Sequence, residues 1–358
     1  MPSMRALLDA CVAALVCVGA AGCGGSGVAI GPPPSVGEPS APSAEQAPQA
    51  PAEPGARRSL ELEAASDLER LTNDEADELL PAPRPDGQFL LFQIEHVIDD
   101  QGEQLLASQG IVGIDPAKPS DRFTYTPGRD HAGGVAWLPT GKGFVFVSNA
   151  HGPLALHLAD ALPSSVPAKP LTLGLPLPDP ETPSVSADGK SVVMSIAAPG
   201  GGRAIAVLEL GTNAVTVLGE GRAPSYAPRG GRIAFVRTVA GYNHVFVAER
   251  ARFAEAVQLS SGPYDCDHPS FSPDGEWIVF ASNRGYEARG TRRHEGLWID
   301  AVPSRGGSPL RLTTGTARSA SPRWSSDGWI YFATDERGRF DLARLRPKLP
   351  ALPPMGSR

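Results

Sequence analysis

A short phrase recurs along this chain and constrains its fold more than anything else in it. Pro269-Ser270-Phe271-Ser272-Pro273-Asp274-Gly275 runs straight into Trp277-Ile278-Val279-Phe280. Pro322-Arg323-Trp324-Ser325-Ser326-Asp327-Gly328 precedes Trp329-Ile330-Tyr331-Phe332 in the same way. Looser copies end at Gly87, Gly141, Gly189 and Gly230, so the spacing between copies runs from 41 to 54 residues. Pro-Asp-Gly reverses the chain, Pro presetting φ and Gly accepting a positive one. The β-branched and aromatic run that follows reads as a strand. One hairpin repeated at this period is the pattern of a propeller built from four-stranded antiparallel blades. With 37 prolines and 40 glycines and no sustained 3.6-residue apolar period, helices have little room.

A second register supports a ring of six blades. Thr72, Thr126, Ser260 and Thr313 each follow a leucine or tyrosine and lie fifteen residues before a turn glycine. Each pair reads as the end of one blade's outer strand, before the chain crosses to the next blade. Arg70-Leu71-Thr72 precedes the first full blade, whereas the last unit meets Pro347 and runs out. The economical solution is that the segment near 60–72 supplies the outer strand of the final blade and so removes the open edge. The alternative is a short acidic helix over 66–80, with Thr72 and Glu75 forming a capping box.

The phrase, its strand and the following Ala281-Ser282-Asn283-Arg284-Gly285 resemble the WD-like repeat of TolB-type propellers, over roughly residues 60–346. The resemblance implies an all-β, six-bladed propeller, a fold used by periplasmic binding proteins and by some propeller enzymes. TolB carries an additional α/β domain ahead of its propeller, and no segment here is long enough to match it. The resemblance therefore does not carry over TolB's partners.

Residues 1–22 read as a lipoprotein signal: Arg5, an apolar stretch over 10–21, and small residues before Cys23. The apolar part is too short to span a bilayer, and Cys23 would carry the lipid. Gly24 after the cysteine favours, by resemblance to known sorting, the outer membrane of a diderm bacterium, facing the periplasm or the cell surface. Residues 23–58 are Pro-, Ala-, Gly- and Ser-rich and read as an extended linker; at roughly 3 Å per residue it reaches on the order of 100 Å. The domain proper spans 59–346, and 347–358 reads as a loose Pro-rich tail. Cys11 and Cys17 leave with the signal, so Cys266 has no disulfide partner; it reads as a partly buried bystander, the alternative being a reactive thiol.

The formal charge of −7 is concentrated in 60–80, where eight acids face only Arg70. No basic stripe exists to neutralise phosphates, which argues against nucleic acid. The acidic run is a solvated face or a dock for a basic partner. G-x-S-x-G, P-loop, H-E-x-x-H and paired-cysteine zinc spacings are absent, and no cofactor is expected.

One constellation stands out. In a propeller, the loop leading into a blade and the loop between its second and third strands open on one face. Asp265, Asp267 and His268 would therefore share a rim with Arg289, Arg292, Arg293 and His294, and Asp130 and His131 would join them from the second unit. Asp and His together can ligate a metal, and some propeller lyases bind one through channel histidines; otherwise these residues cap strands or bind a ligand. The expected function is noncovalent binding of an envelope protein or peptide by a monomer. The alternatives are a polysaccharide lyase or hydrolase and a lipoprotein that spaces envelope layers.

Overall fold

A computed structural model describes residues 58–100, 103–126, 131–161, 168–285 and 297–352, with side chains omitted at 96–100 and 103–109. Six four-stranded antiparallel sheets form a ring. Each begins with an innermost strand: Asp77–Pro83, Ala132–Trp137, Glu181–Val185, Arg222–Tyr226, Cys266–Phe271 and Ser319–Trp324 in blades one to six. Every innermost strand touches the next around the axis, and the sixth touches the first. The one helix among the described residues is the 3-10 segment Arg250–Glu255, and none is long and apolar enough to cross a membrane.

The hairpin phrase does what its chemistry requires. In blade five the Gly275 N–H closes the turn onto Ser272 O at 2.9 Å. Asp274 Oδ1 accepts the Glu276 N–H at 2.9 Å, and Ser272 Oγ accepts the Trp277 N–H at 2.9 Å. Gly275 takes φ +75, where a side chain would be strained. The second strands are buried on both faces by the neighbouring blades, so Trp277–Ser282 is buried throughout and apolar almost without a break. Outer strands face water, as in Lys118–Thr124. The core is accordingly six clusters, one at each junction between blades. Trp137, Tyr226, Phe271 and Trp324 pack in four of them, as their repetition predicts.

The ring closes with a strand from the amino-terminal side. Ala65–Arg70 pairs with Asp341–Pro347 as the outermost strand of blade six, with Glu69 opposite Arg344; the helix alternative over 66–80 does not form. Leu60–Leu62 pairs separately with Thr313–Gly315. The fifteen-residue register has a physical cause. Thr126, Ser260, Thr313 and Thr72 each accept, through the side-chain oxygen, the N–H of a third-strand residue: Ile111, Val245, Ile299 and Leu342, at 2.8–2.9 Å. The preceding apolar residue donates its own N–H to the carbonyl of that same third-strand residue. Thr172 does the same for Leu156 at 2.9 Å but lies two residues further from its turn glycine.

Each innermost strand contains a bulge at one common position. Pairing shifts between Leu79 and Ala82, Gly133 and Ala136, Glu181 and Ser184, Arg222 and Ser225, Asp267 and Ser270, and Ala320 and Arg323. Inside it stands a left-handed residue: Leu80, Gly134, Thr182, Ala223, His268 or Ser321, with φ from 45 to 59. Proline follows in all but blade two. A residue without an N–H is tolerated in a sheet at edges and bulges, and these strands are the inner edges of their sheets.

The carboxy-terminal tail is a correction to the sequence reading. Up to residue 352 it is not loose: Lys348 N–H bonds to Ala64 O at 2.8 Å, and Leu349 and Leu352 pack on the cluster between blades five and six. Its leucines find an apolar groove beside Trp277 and Trp324. Cys266 is fully buried rather than partly so, and burial pushes its thiol pKa up.

Candidate binding site at the mouth of the channel

The position just ahead of the left-handed residue differs from blade to blade. In blades three, four and five it holds Glu181, Arg222 and Asp267; in blades one, two and six it holds Leu79, Gly133 and Ala320. The charged three are partly exposed, whereas Leu79, Gly133 and Ala320 are buried, Leu79 and Ala320 within the core cluster between blades six and one. Arg222 Nη1 donates to Asp267 Oδ1 at 2.7 Å, joining two blades. The same oxygen accepts the His268 N–H at 2.8 Å and lies 3.3 Å from His268 Nδ1. Glu181 pairs with Arg203 at 2.9 Å, which also holds Asp179 at 2.8 Å.

Burial alone would raise the Asp267 carboxyl, but the Arg222 charge and the hydrogen bonds from Arg222 and the His268 backbone N–H hold it below its ordinary value. Burial lowers the His268 pKa and Asp267 only partly restores it, with Arg323 and Arg222 adding to the fall, so the ring is neutral at pH 7. Burial raises Glu181. Asp267 is thus a fixed anion and His268 a neutral ring.

Of the residues singled out from the sequence, Asp267 and His268 lie together in this arc. Asp265 is engaged elsewhere: its Oδ1 accepts the Asn243 N–H at 2.8 Å, and its own N–H donates to Asn283 Oδ1 at 2.7 Å. It braces the loops of blades four and five. His131 stands on the blade-three side, where burial lowers its pKa and Asp179 raises it. Asp130, Arg289, Arg292, Arg293 and His294 lie outside the described residues. The segment carrying the last four begins just after Arg284, which donates to the fully buried Asp300 at 2.9 Å; Arg311 holds the same carboxylate at 2.5 Å. Glu181, Arg222 and Arg323 were not found by sequence reasoning, although the proline after each bulge marks where to look.

Among the described residues no three His, Cys, Asp or Glu side chains converge as metal ligands would. Two surface grooves, of about 660 and 820 Å³, lie away from the mouth, one under the tail and one beside the 3-10 segment.

No protein-family model and no curated protein matches the chain. Solved structures do. TolB from Acinetobacter baumannii superposes with a TM-score of 0.56 at 19% identity, over 71% of this chain and 59% of that one. A putative TolB from Agrobacterium tumefaciens gives 0.57 at 17%, over 81% and 99%. The fold is that of a TolB-like propeller. A gluconolactonase from Xanthomonas campestris gives 0.58 at 14%, over 83% and 98%, so the TolB-like ring is shared by proteins of more than one activity. The chain spans about three fifths of the Acinetobacter TolB.

Proposed function

We propose that this TolB-like propeller is a noncovalent binding module of the cell envelope, lipidated at Cys23 and standing off the membrane on residues 24–58. Its partner is an envelope protein or peptide, taken up on the face that carries Arg222, Asp267 and His268, with Arg289, Arg292 and Arg293 as candidate contacts. The observation that carries this reading is the Arg222–Asp267–His268 arc. Its carboxylate is held ionised and its imidazole neutral, at fixed positions on rigid strands. Such groups present stationary charge and hydrogen bonds for recognition, whereas a general acid at neutral pH needs its carboxyl pushed upward.

The test is capture of envelope proteins by the full-length chain in detergent, beside an Arg222→Ala/Asp267→Ala double variant that removes the pair without stranding a charge. One protein retained by the native chain and lost from the variant is the expected result. No protein retained by the native chain sinks the reading. Loss of radiolabelled palmitate on Cys23→Ala tests the anchor.

A propeller enzyme acting on envelope polysaccharide is the second reading, and the contact between His268 Nδ1 and Asp267 favours it, since a carboxylate that orients a neutral imidazole can set up a base. Turnover in a polysaccharide and lactone screen, abolished by His268→Gln, would put this reading first.

A further inference from the structure

Arg323 occupies a position where the other five blades carry almost no side chain. The residue directly after the bulge is Ala82, Ala136, Ser184, Ser225 and Ser270 in blades one to five, and Arg323 in blade six. Ser184 Oγ accepts the Tyr226 N–H at 3.0 Å, and Ser270 Oγ accepts the Trp324 N–H at 3.1 Å. A hydroxyl here ties one innermost strand to the next. The equivalent residue ahead of Arg323, in blade one, is Pro83, which has no N–H to be accepted. The ring needs no hydroxyl at this junction, and a guanidinium takes its place.

That guanidinium has no acceptor among the described residues. Arg229, Arg337 and Arg339 are exposed. Every other described arginine donates to a carboxylate, a carbonyl or a hydroxyl, from Arg58 on Asp335 to Arg346 on the Asp327 carbonyl. Arg323 is only partly exposed, and its surroundings withdraw enough water to lower its pKa to about 10, which leaves it protonated at neutral pH. The nearby charges do not balance it: Arg222 and Asp267 neutralise each other, and His268 is uncharged. A desolvated cation with five N–H groups and no acceptor is costly. Its planar fork fits a carboxylate through two parallel hydrogen bonds.

We infer that Arg323 anchors an oxyanion, in the first place a carboxylate, on a ligand that reaches the innermost strands on the side of Arg222, Asp267 and His268. This deepens the binding reading and rests on it for the existence of a ligand. The free anion is nevertheless tested without any partner, so capture and anion binding can fail independently.

The experiment measures thermal unfolding of the full-length chain in detergent with sodium acetate or inorganic phosphate, each against chloride at matched ionic strength. Arg323→Ala places in blade six the residue that blades one and two already carry, Arg323→Lys keeps the charge without the fork, and Arg229→Ala serves as an exposed control. The expected result is a saturable rise in Tm with acetate that is unchanged in Arg229→Ala and weaker in Arg323→Lys. Arg323→Ala should bind acetate about tenfold or more weakly, the loss expected for a charge-assisted hydrogen bond. Without added anion, Arg323→Ala should be no less stable than the native chain, which a purely structural arginine would not allow. Tighter binding of phosphate than acetate supports the site and assigns a phosphate-bearing ligand. No saturable rise, or the same rise in Arg323→Ala, overturns the inference.

Discussion

Arg222 and Asp267 stand at the same position of adjacent blades and share a 2.7 Å hydrogen bond between their innermost strands. Both side chains are about one-fifth exposed. Breaking the pair therefore costs more than a surface ion pair and less than a fully buried one, about 1–2 kcal/mol for Arg222→Ala at pH 7. The Asp267 carboxyl lies below its unfolded value, so the pair's contribution is full above that value, near 3.9, and is lost as pH falls through the folded one. Urea unfolding should show a native–variant gap at pH 7 that closes toward pH 2–3. A gap independent of pH would mean that Arg222 acts through packing alone.

Glu78 gives the opposite pH dependence. It is fully buried, contacts Thr72, and accepts Arg122 Nη2 at 2.8 Å. Burial pushes it up to about 7 against the pull of Thr72 and Arg122. The folded state therefore holds this proton where the unfolded chain has already released it, and the stability it contributes below the unfolded value is lost as pH rises through 7. Histidines with lowered pKa values, such as His244 and His268, tilt stability the other way. The informative quantity is thus the difference from Glu78→Gln: between pH 5 and 8 the native chain should lose stability relative to that variant. Parallel curves would show that Glu78 does not titrate in this window.

The side-chain clasps at the blade crossings predict a graded series. Thr126→Val, Thr172→Val, Ser260→Ala and Thr313→Val each strand one third-strand N–H and should cost about 1–2 kcal/mol in denaturant unfolding. Thr72→Val should cost most, because the Thr72 hydroxyl also donates to Glu78 while its oxygen accepts the Leu342 N–H at 2.8 Å.

His268 sits at φ +48 in the bulge of blade five. A β-branched residue there should be markedly worse than glycine, since an L side chain in the left-handed region costs roughly 1–2 kcal/mol and branching adds to it. His268→Val should lower Tm well below His268→Gly, and equal Tm values would argue that the bulge relaxes on substitution.

The hairpins were legible because Pro-Asp-Gly chemistry is local. Ring closure was legible because the hydroxyl clasps hold Thr72 and Thr313 at one distance from their turns. Thr172 escaped that register because its loop is two residues longer, and blade three has no clasping hydroxyl, its crossing running through Gly219 and Gly221. The channel charges were harder to read. Glu181, Arg222 and Asp267 lie more than forty residues apart in sequence and become neighbours only when consecutive blades pack side by side. Arg323 looks ordinary until its repeat position is seen to hold Ser or Ala elsewhere. The tail misled because proline content does not reveal that Leu349 and Leu352 have an apolar groove to fill.

Glu69 and Arg344 are joined by a hydrogen bond although 275 residues separate them in the chain. During synthesis the strand that completes the circle is made early, yet its partner is among the last parts to emerge. Until then, blade six lacks its outer strand and the nascent protein is an open arc with an unpaired edge at each side. Closure depends on the contact most distant in sequence, which makes it slow compared with the assembly of single hairpins. A stalled or truncated chain that lacks Asp341–Pro347 would therefore remain an open, association-prone arc however well its first five blades had formed.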